Sequence, residues 1–252
     1  MTDKKKIYFI SDVHLGYDHE ISSKDREQML ISWIKSIALD AHSLYIVGDL
    51  FDYWFEYKTV VPKGYFKLFA ALSELINQGV EVHYLKGNHD LWHYGYLQNQ
   101  IGLEIYDHPI TVQLDNIKVH LAHGDGLGQG ERKYKLIKWI LTNSLCQRIF
   151  SCLHPSIGLP LMKSMSQLSR DNHEDIEALS ANKMQIDYCN ELLKRDHKID
   201  YFIMGHRHTP LVHQLNHKDS TYINLGDWIT QFTYLKWDGH QMNLRRYKKR
   251  AN

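Results

Sequence analysis

Cysteine, proline and glycine are scarce in this chain, and each shortage removes a class of protein. The 252 residues hold three cysteines, Cys146, Cys152 and Cys189, an odd number with no Cys-x-x-Cys spacing. Neither a disulfide framework nor a thiolate zinc site is expected, and a reducing, cytoplasmic compartment is. Five prolines and 15 glycines are too few for a collagen-like or low-complexity chain. No apolar run approaches the roughly 18–20 residues that cross a bilayer. The run Ile7–Ile10 after the opening lysines is too short for a secretory core. An excess of one charge is missing too: 30 Lys+Arg against 29 Asp+Glu leave a net charge of +1. A long nucleic-acid track is therefore not expected, and no protein partner is indicated. The chain is 43% hydrophobic and 23% charged, and its length suits one globular domain over 1–252.

Histidine, in contrast, is abundant, with 17 residues. Several stand where a short apolar run breaks into a polar turn, which happens five times. Ile7–Ile10 leads into Asp12-Val13-His14, and Leu44–Val47 into Gly48-Asp49. Val82–Lys86 leads into Gly87-Asn88-His89-Asp90. Lys118–Ala122 leads into His123-Gly124-Asp125, and Tyr201–Met204 into Gly205-His206-Arg207-His208. Continuous apolar runs of this length read as strands buried on both faces. Between the early runs, residues 25–41 and 65–78 carry apolar side chains at helical spacing. Ser22 or Ser23 is the expected N-cap of the first helix, and Gly79 follows the second. Strand–helix–strand order gives an α/β fold with ligands beyond the carboxyl ends of the strands. Closer spacing in 110–122 and 221–247 adds antiparallel pairs and mixed sheets.

The stretch between His123 and His206 is the longest gap and has room for an added element pair. Its part 131–170 sets Arg132, Lys133, Lys135, Lys138, Arg148, Lys163 and Arg170 against the single acid Glu131, a net charge of +6, among many apolar residues. This reads either as a helical cap that receives something anionic and greasy or as a helical hairpin packed on the core. A second basic run, Arg245–Arg250, reads as a solvated tail, with anionic lipid contact as the functional alternative.

Asp12, His14, Asp49, Asn88, His123, His206 and His208 together are too many donors for one tetrahedral metal. They suit two metals sharing a carboxylate, each with positions left for water and substrate. Carboxylate, amide and imidazole donors without thiolate suit manganese, iron or zinc.

These motifs, in this order and over nearly the whole chain, resemble those of the calcineurin-like metallophosphoesterases. The resemblance implies a four-layer α/β/β/α sandwich and a hydrolase with two divalent cations, manganese foremost and iron or zinc as alternatives. Asp12, His14, Asp49 and His208 would hold one cation, and Asp49, Asn88, His123 and His206 the other. It further implies that Asn88 and His89 meet the substrate phosphate and that His89 protonates the leaving group. We expect Asp90 to orient the His89 ring.

A narrower resemblance rests on Gly48-Asp49-Leu50-Phe51-Asp52-Tyr53-Trp54, on Gly205–His213 and on Leu225-Gly226-Asp227-Trp228. These look like the group within that family that cleaves UDP-2,3-diacylglucosamine in lipid A synthesis. The resemblance implies a helical lid at 131–170, substrate contact by Tyr134, a diacylated sugar nucleotide as substrate and loose association with the inner face of a membrane. One departure is that well-known members of the group have Arg where this chain has His89, a titratable donor in place of a permanent bidentate clamp. A related phosphodiesterase or phosphatase for another nucleotide, lipid or phosphoprotein is the alternative reading. A non-catalytic scaffold ranks last, because all seven ligand candidates are present. The aromatic residues Tyr53, Trp54, Trp92, Tyr94 and Trp228 follow the motifs and either line a pocket or pack.

Overall fold

A computed structural model describes residues 6–127, 132–170, 177–217 and 219–248. The first half alternates strands and helices: β1 (Lys6–Ile10), α1 (Ser23–Ile37), β2 (Ala41–Val47), α2 (Phe66–Asn77), β3 (Glu81–Leu85) and the short β4 (Glu104–Tyr106). A π-type turn, Leu97–Ile101, precedes β4. Next come the hairpin β5 (Ile110–Leu114) and β6 (Ile117–Ala122) and a run of four helices. These are α3 (Arg132–Thr142), α4 (Ser144–Ser151), α5 (Pro155–Arg170) and α6 (Ala178–Leu193). The chain closes with β7 (Tyr201–Met204), β8 (Leu211–Gln214), β9 (Thr221–Asn224), β10 (Thr233–Trp237) and β11 (Met242–Arg246).

The strands form two sheets, ordered β11-β10-β1-β2-β3-β4 and β5-β6-β7-β9-β8. In the first, β1 to β4 run parallel, β10 runs antiparallel to β1, and β11 runs antiparallel to β10. In the second, β6, β7 and β9 run parallel between antiparallel edge strands. Alternate residues of β1 serve different cores, which is why the run is apolar throughout. Tyr8 and Ile10 pack with Leu30, Trp33 and Leu72 of α1 and α2. Ile7 and Phe9 point the other way and meet Val119, Leu121, Ile203 and Ile223 of the second sheet. Phe202, Met204 and Tyr222, on the far face of that sheet, pack against Ile186, Cys189 and Leu193 of α6. Two sheets flanked by helices are the mixed α/β class that the motif order implies.

Local departures have local causes. The first helix ends at Ile37 rather than Ala41, because Ala41 already pairs with Lys6 in the sheet. Ser22 is its cap, accepting the Asp25 N–H at 3.1 Å. Gly79 takes φ +81° after α2, as a residue beyond a helix end does. The gap after His123 holds four helices rather than one element pair among the described residues. β9 joins β8 in the second sheet instead of making a hairpin with β10. Part of the C-terminal basic run is edge strand: Arg245 and Arg246 pair with Tyr234 and Thr233.

Candidate metal centre

The candidate ligands stand at the carboxyl ends of five parallel strands, on both sheets. Asp12 and His14 follow β1, Asp49 follows β2 and Asn88 follows β3. His123 follows β6, and His206 and His208 follow β7. Their backbone is unusual: Asp12, His14, Asp49, His206 and His208 have φ between +47° and +70°. Left-handed backbone costs an L-residue on the order of 1 kcal/mol or more. Only three other non-glycine residues adopt it among the described residues, Tyr65, Asp115 and Phe232. The flanking strands hold these turns in strain, and the strain aims the side chains at one another.

Two groups result. Asp12, His14 and His208 each bring one donor atom within 4.8 Å of the others, and so do Asp49, His123 and His206. Asp49 sits between them, with Oδ2 3.5 Å from His14 Nε2 and 3.2 Å from His123 Nε2. Asn88 Oδ1 closes the second group, 3.1 Å from His123 Nε2 and 2.9 Å from His206 Nδ1. All seven sequence-expected ligands therefore meet in one place. A third cluster brings the His89 ring to His14 and Asp49.

The donor set fits divalent cations. Asp12 Oδ1 is buried 3.2 Å from His208 Nε2. His14 Nε2 faces His208 Nε2 at 3.3 Å. Oxygen and nitrogen donors converging at one point, without thiolate, are what a borderline or hard divalent ion needs. The outer atoms are held as well. His123 Nδ1–H donates to the Val47 carbonyl at 2.9 Å, which aims Nε2 at Asp49 and Asn88. His14 Nδ1 lies 3.5 Å from Asp52 Oδ1, and His208 Nδ1 3.9 Å from Asp227 Oδ2. Such outer partners fix the orientation of imidazole ligands.

Electrostatics without cations make the same point. Burial opposes charge on every group here, and the contacts overcome it at four of them. Hydrogen bonds to Asp12 and Asp52 and the charge of Asp49 push His14 up to about 10 against that penalty. Asp49 and Asp12 likewise raise His123. Asp12 and Asp49 are held below the carboxylate range by the imidazoles around them. Burial and the charge of His123 push His206 down to about 3. Protons on His14 and His123 thus stand where cations would.

His89 and Asp90 part company. The His89 N–H donates to Asp49 Oδ1 at 2.9 Å. Its ring Nδ1 lies 3.0 Å from the Asp52 carbonyl and 2.9 Å from Ser166 Oγ. Asp90 does not touch that ring, which corrects the expectation that it orients it. Its carboxylate accepts the N–H groups of Gly87, Asp49 and Phe51 and the Tyr84 hydroxyl, bracing the two ligand turns from beneath. Adjacent residues of a tight turn point opposite ways, so adjacency in sequence misled. Gln185 does for the second sheet what Asp90 does for the first, donating to the Gly124 and Gly205 carbonyls at 3.1 Å each. Nothing in the sequence singled out Gln185 or Ser166. Asp52, quoted only as part of a motif, had a signal in its spacing of three from Asp49.

Helices α3 to α5 reach this edge. Lys138 of α3 pairs with Asp125 at 2.5 Å, and the Leu141 carbonyl accepts from Trp92 Nε1 at 2.5 Å. Phe150 of α4 packs on Phe55 and Trp92, with ring centres 5.1 and 4.8 Å away. Trp54, Trp92 and Trp228 are core residues, whereas Tyr94 is exposed beside a surface cavity of about 750 Å³. The Tyr134 side chain lies outside the described residues.

Two sheets whose parallel strands end in Asp-x-His, Gly-Asp, Gly-Asn-His-Asp, His-Gly-Asp and Gly-His-x-His define a class of hydrolase. Residues 5–210 match the calcineurin-like phosphoesterases, and the chain belongs to that family, whose members act on phosphoester bonds with divalent metal ions. Within the family, the chain is 34% identical over 255 residues to a UDP-2,3-diacylglucosamine hydrolase of Porphyromonas gingivalis, covering 96% of this chain and 97% of the relative. A UDP-2,3-diacylglucosamine hydrolase of Vibrio atlanticus is 28% identical over 249 residues, covering 95% and 96%.

Proposed function

We propose that this chain hydrolyses the pyrophosphate bond of UDP-2,3-diacylglucosamine, releasing UMP and 2,3-diacylglucosamine 1-phosphate. The observation that carries this reading is the placement of an apolar, basic set of helices against the ligand edge. Trp139, Leu145, Ile149 and Ile157 of α3 to α5 are each at least 60% exposed. Arg148 and Lys163 are exposed among them. A small, fully polar phosphoester has no use for such a surface, whereas a diacylated sugar nucleotide needs cations for phosphate and apolar area for acyl chains. The names of the two relatives support the same substrate.

In this reading Asp12, His14, Asp49 and His208 hold one cation, and Asp49, Asn88, His123 and His206 the other. Manganese is the first choice, with iron or zinc as alternatives. The chemistry the pair supplies is Lewis-acid polarisation of phosphate oxygens and acidification of water. Asn88 and His89 contact the phosphate, and His89 delivers a proton to the leaving oxygen. Residues 131–170 form a lid on a single domain spanning 1–252, with Tyr134 as a substrate-binding residue. The same apolar face rests on the cytoplasmic surface of a membrane. Among the described residues no helix is long and apolar enough to cross one.

The test is Mn²⁺-dependent UMP release from UDP-2,3-diacylglucosamine, run beside a small aryl phosphodiester. Faster UMP release supports the reading, and aryl ester cleavage alone rejects the substrate while keeping the family chemistry. His89→Ala should retain both cations yet lower turnover by about 10²–10⁴. Undiminished turnover in that variant rejects the role of His89.

A further inference from the structure

Ser166 lies on α5, far in sequence from every ligand turn, yet its hydroxyl ends 2.9 Å from His89 Nδ1. The same nitrogen lies 3.0 Å from the Asp52 carbonyl. A carbonyl oxygen only accepts, so Nδ1 carries the hydrogen and shares it between the carbonyl and the Ser166 oxygen. That choice fixes the tautomer: Nε2 becomes the nitrogen that can take or give a proton toward the reacting phosphate. Ser166 is 7% exposed, so its contact with the ring is screened from water. The ring is also wedged edge-on against His14, with centres 4.7 Å apart. Backbone of the loop after β2 thus holds one side of the hydrogen, and helix α5 holds the other.

We infer that Ser166 is a positioning residue for His89, and that the inserted helix α5 completes the proton-delivering group instead of only covering the substrate. The inference rests on the role given to His89 under the proposed function. An Arg at that position would need no such help, since its charge and hydrogen-bond fork are permanent.

A double-mutant cycle tests this with His89→Ala, Ser166→Ala and the pair, reading kcat and KM together with metal content and unfolding midpoint. Alanine is the better helix former, so Ser166→Ala is expected to fold and keep its cations. Loss of one hydrogen bond to the working ring predicts a kcat lower by about tenfold with KM nearly unchanged. In the His89→Ala background the same change should cost nothing further. Undiminished kcat in Ser166→Ala, or an equal loss in both backgrounds, overturns the inference, the second result meaning that Ser166 meets the substrate itself. Full activity in His89→Ala instead overturns the role of His89, so the two failures are told apart.

Discussion

Gly205 has no room for a side chain: a Cβ there would lie 2.3 Å from Asp12 Oδ2, the oxygen that accepts the His206 N–H at 2.9 Å. Gly87 is as tight, with a Cβ position 2.1 Å from Asp49 Oδ1. Neither glycine is interchangeable with alanine, because the atom in the way is a candidate-ligand carboxylate wedged in a buried turn. Gly205→Ala should displace Asp12 and cost the chain at least one of two bound cations, read by elemental analysis of the Mn²⁺-loaded protein. The protons on His14 and His123 lead to a second expectation. Both imidazoles are held protonated above their ordinary range, so cations must displace protons to bind. Mn²⁺ uptake at pH 7.5 should release at least one proton per cation, and apparent affinity should fall as pH falls. Calorimetry in buffers of different ionisation enthalpy measures the count, and uptake without proton release would contradict the assignment of these imidazoles.

Helices α3 to α5 carry the element-scale expectation. Ile149 and Ile157 are exposed apolar side chains whose replacement by Asp disturbs no core. Ile149→Asp with Ile157→Asp should raise KM for the diacylated substrate by an order of magnitude or more while sparing a small aryl phosphodiester. Equal effects on both substrates would remove the acyl chains from that face. Legibility at this scale follows burial. β1, β2, β3, β6 and β7 were readable because strands covered on both faces have unbroken apolar runs. Strands β4 and β8 were not, being short edge strands with exposed or half-exposed residues. Helix α6 hid because Asn182 and Gln185 interrupt its buried stripe, and both are there to hydrogen-bond. That the seven candidate ligands share one edge was legible, since each turn keeps its motif within three residues. The support beneath it was not, because Asp90, Gln185 and Ser166 act across long sequence separations.

At the scale of the whole molecule, acid should weaken the fold through His120. Its ring lies under α6 against Phe202 and Tyr188, with Nδ1 2.9 Å from Thr111 Oγ1, and burial pushes it down to about 4. Between its ordinary value of 6.5 and about 4, the unfolded chain binds a proton that the folded one refuses. Stability is therefore lost as pH falls through that window, by about 2 kcal/mol at pH 5. Denaturant unfolding at pH 7 and pH 5 should show a smaller difference in His120→Gln than in the unaltered chain. A different coupling follows from where the ligands sit. Asp12, His14, Asp49 and Asn88 belong to one sheet, and His123, His206 and His208 to the other. The sheets meet through the apolar layer of Phe9, Val47, Leu121, Ile203 and their neighbours, and through hydrogen bonds at the site such as His206 N–H to Asp12 and His123 to the Val47 carbonyl. A cation held by both sets of candidate ligands would also be a clasp between two halves of the fold, and folding and loading would become one equilibrium. Each site at a hundredfold excess over its Kd adds about 2.7 kcal/mol to the folded state. Chelation should then lower the unfolding midpoint as well as turnover, so an organism short of the metal would lose the protein along with the reaction.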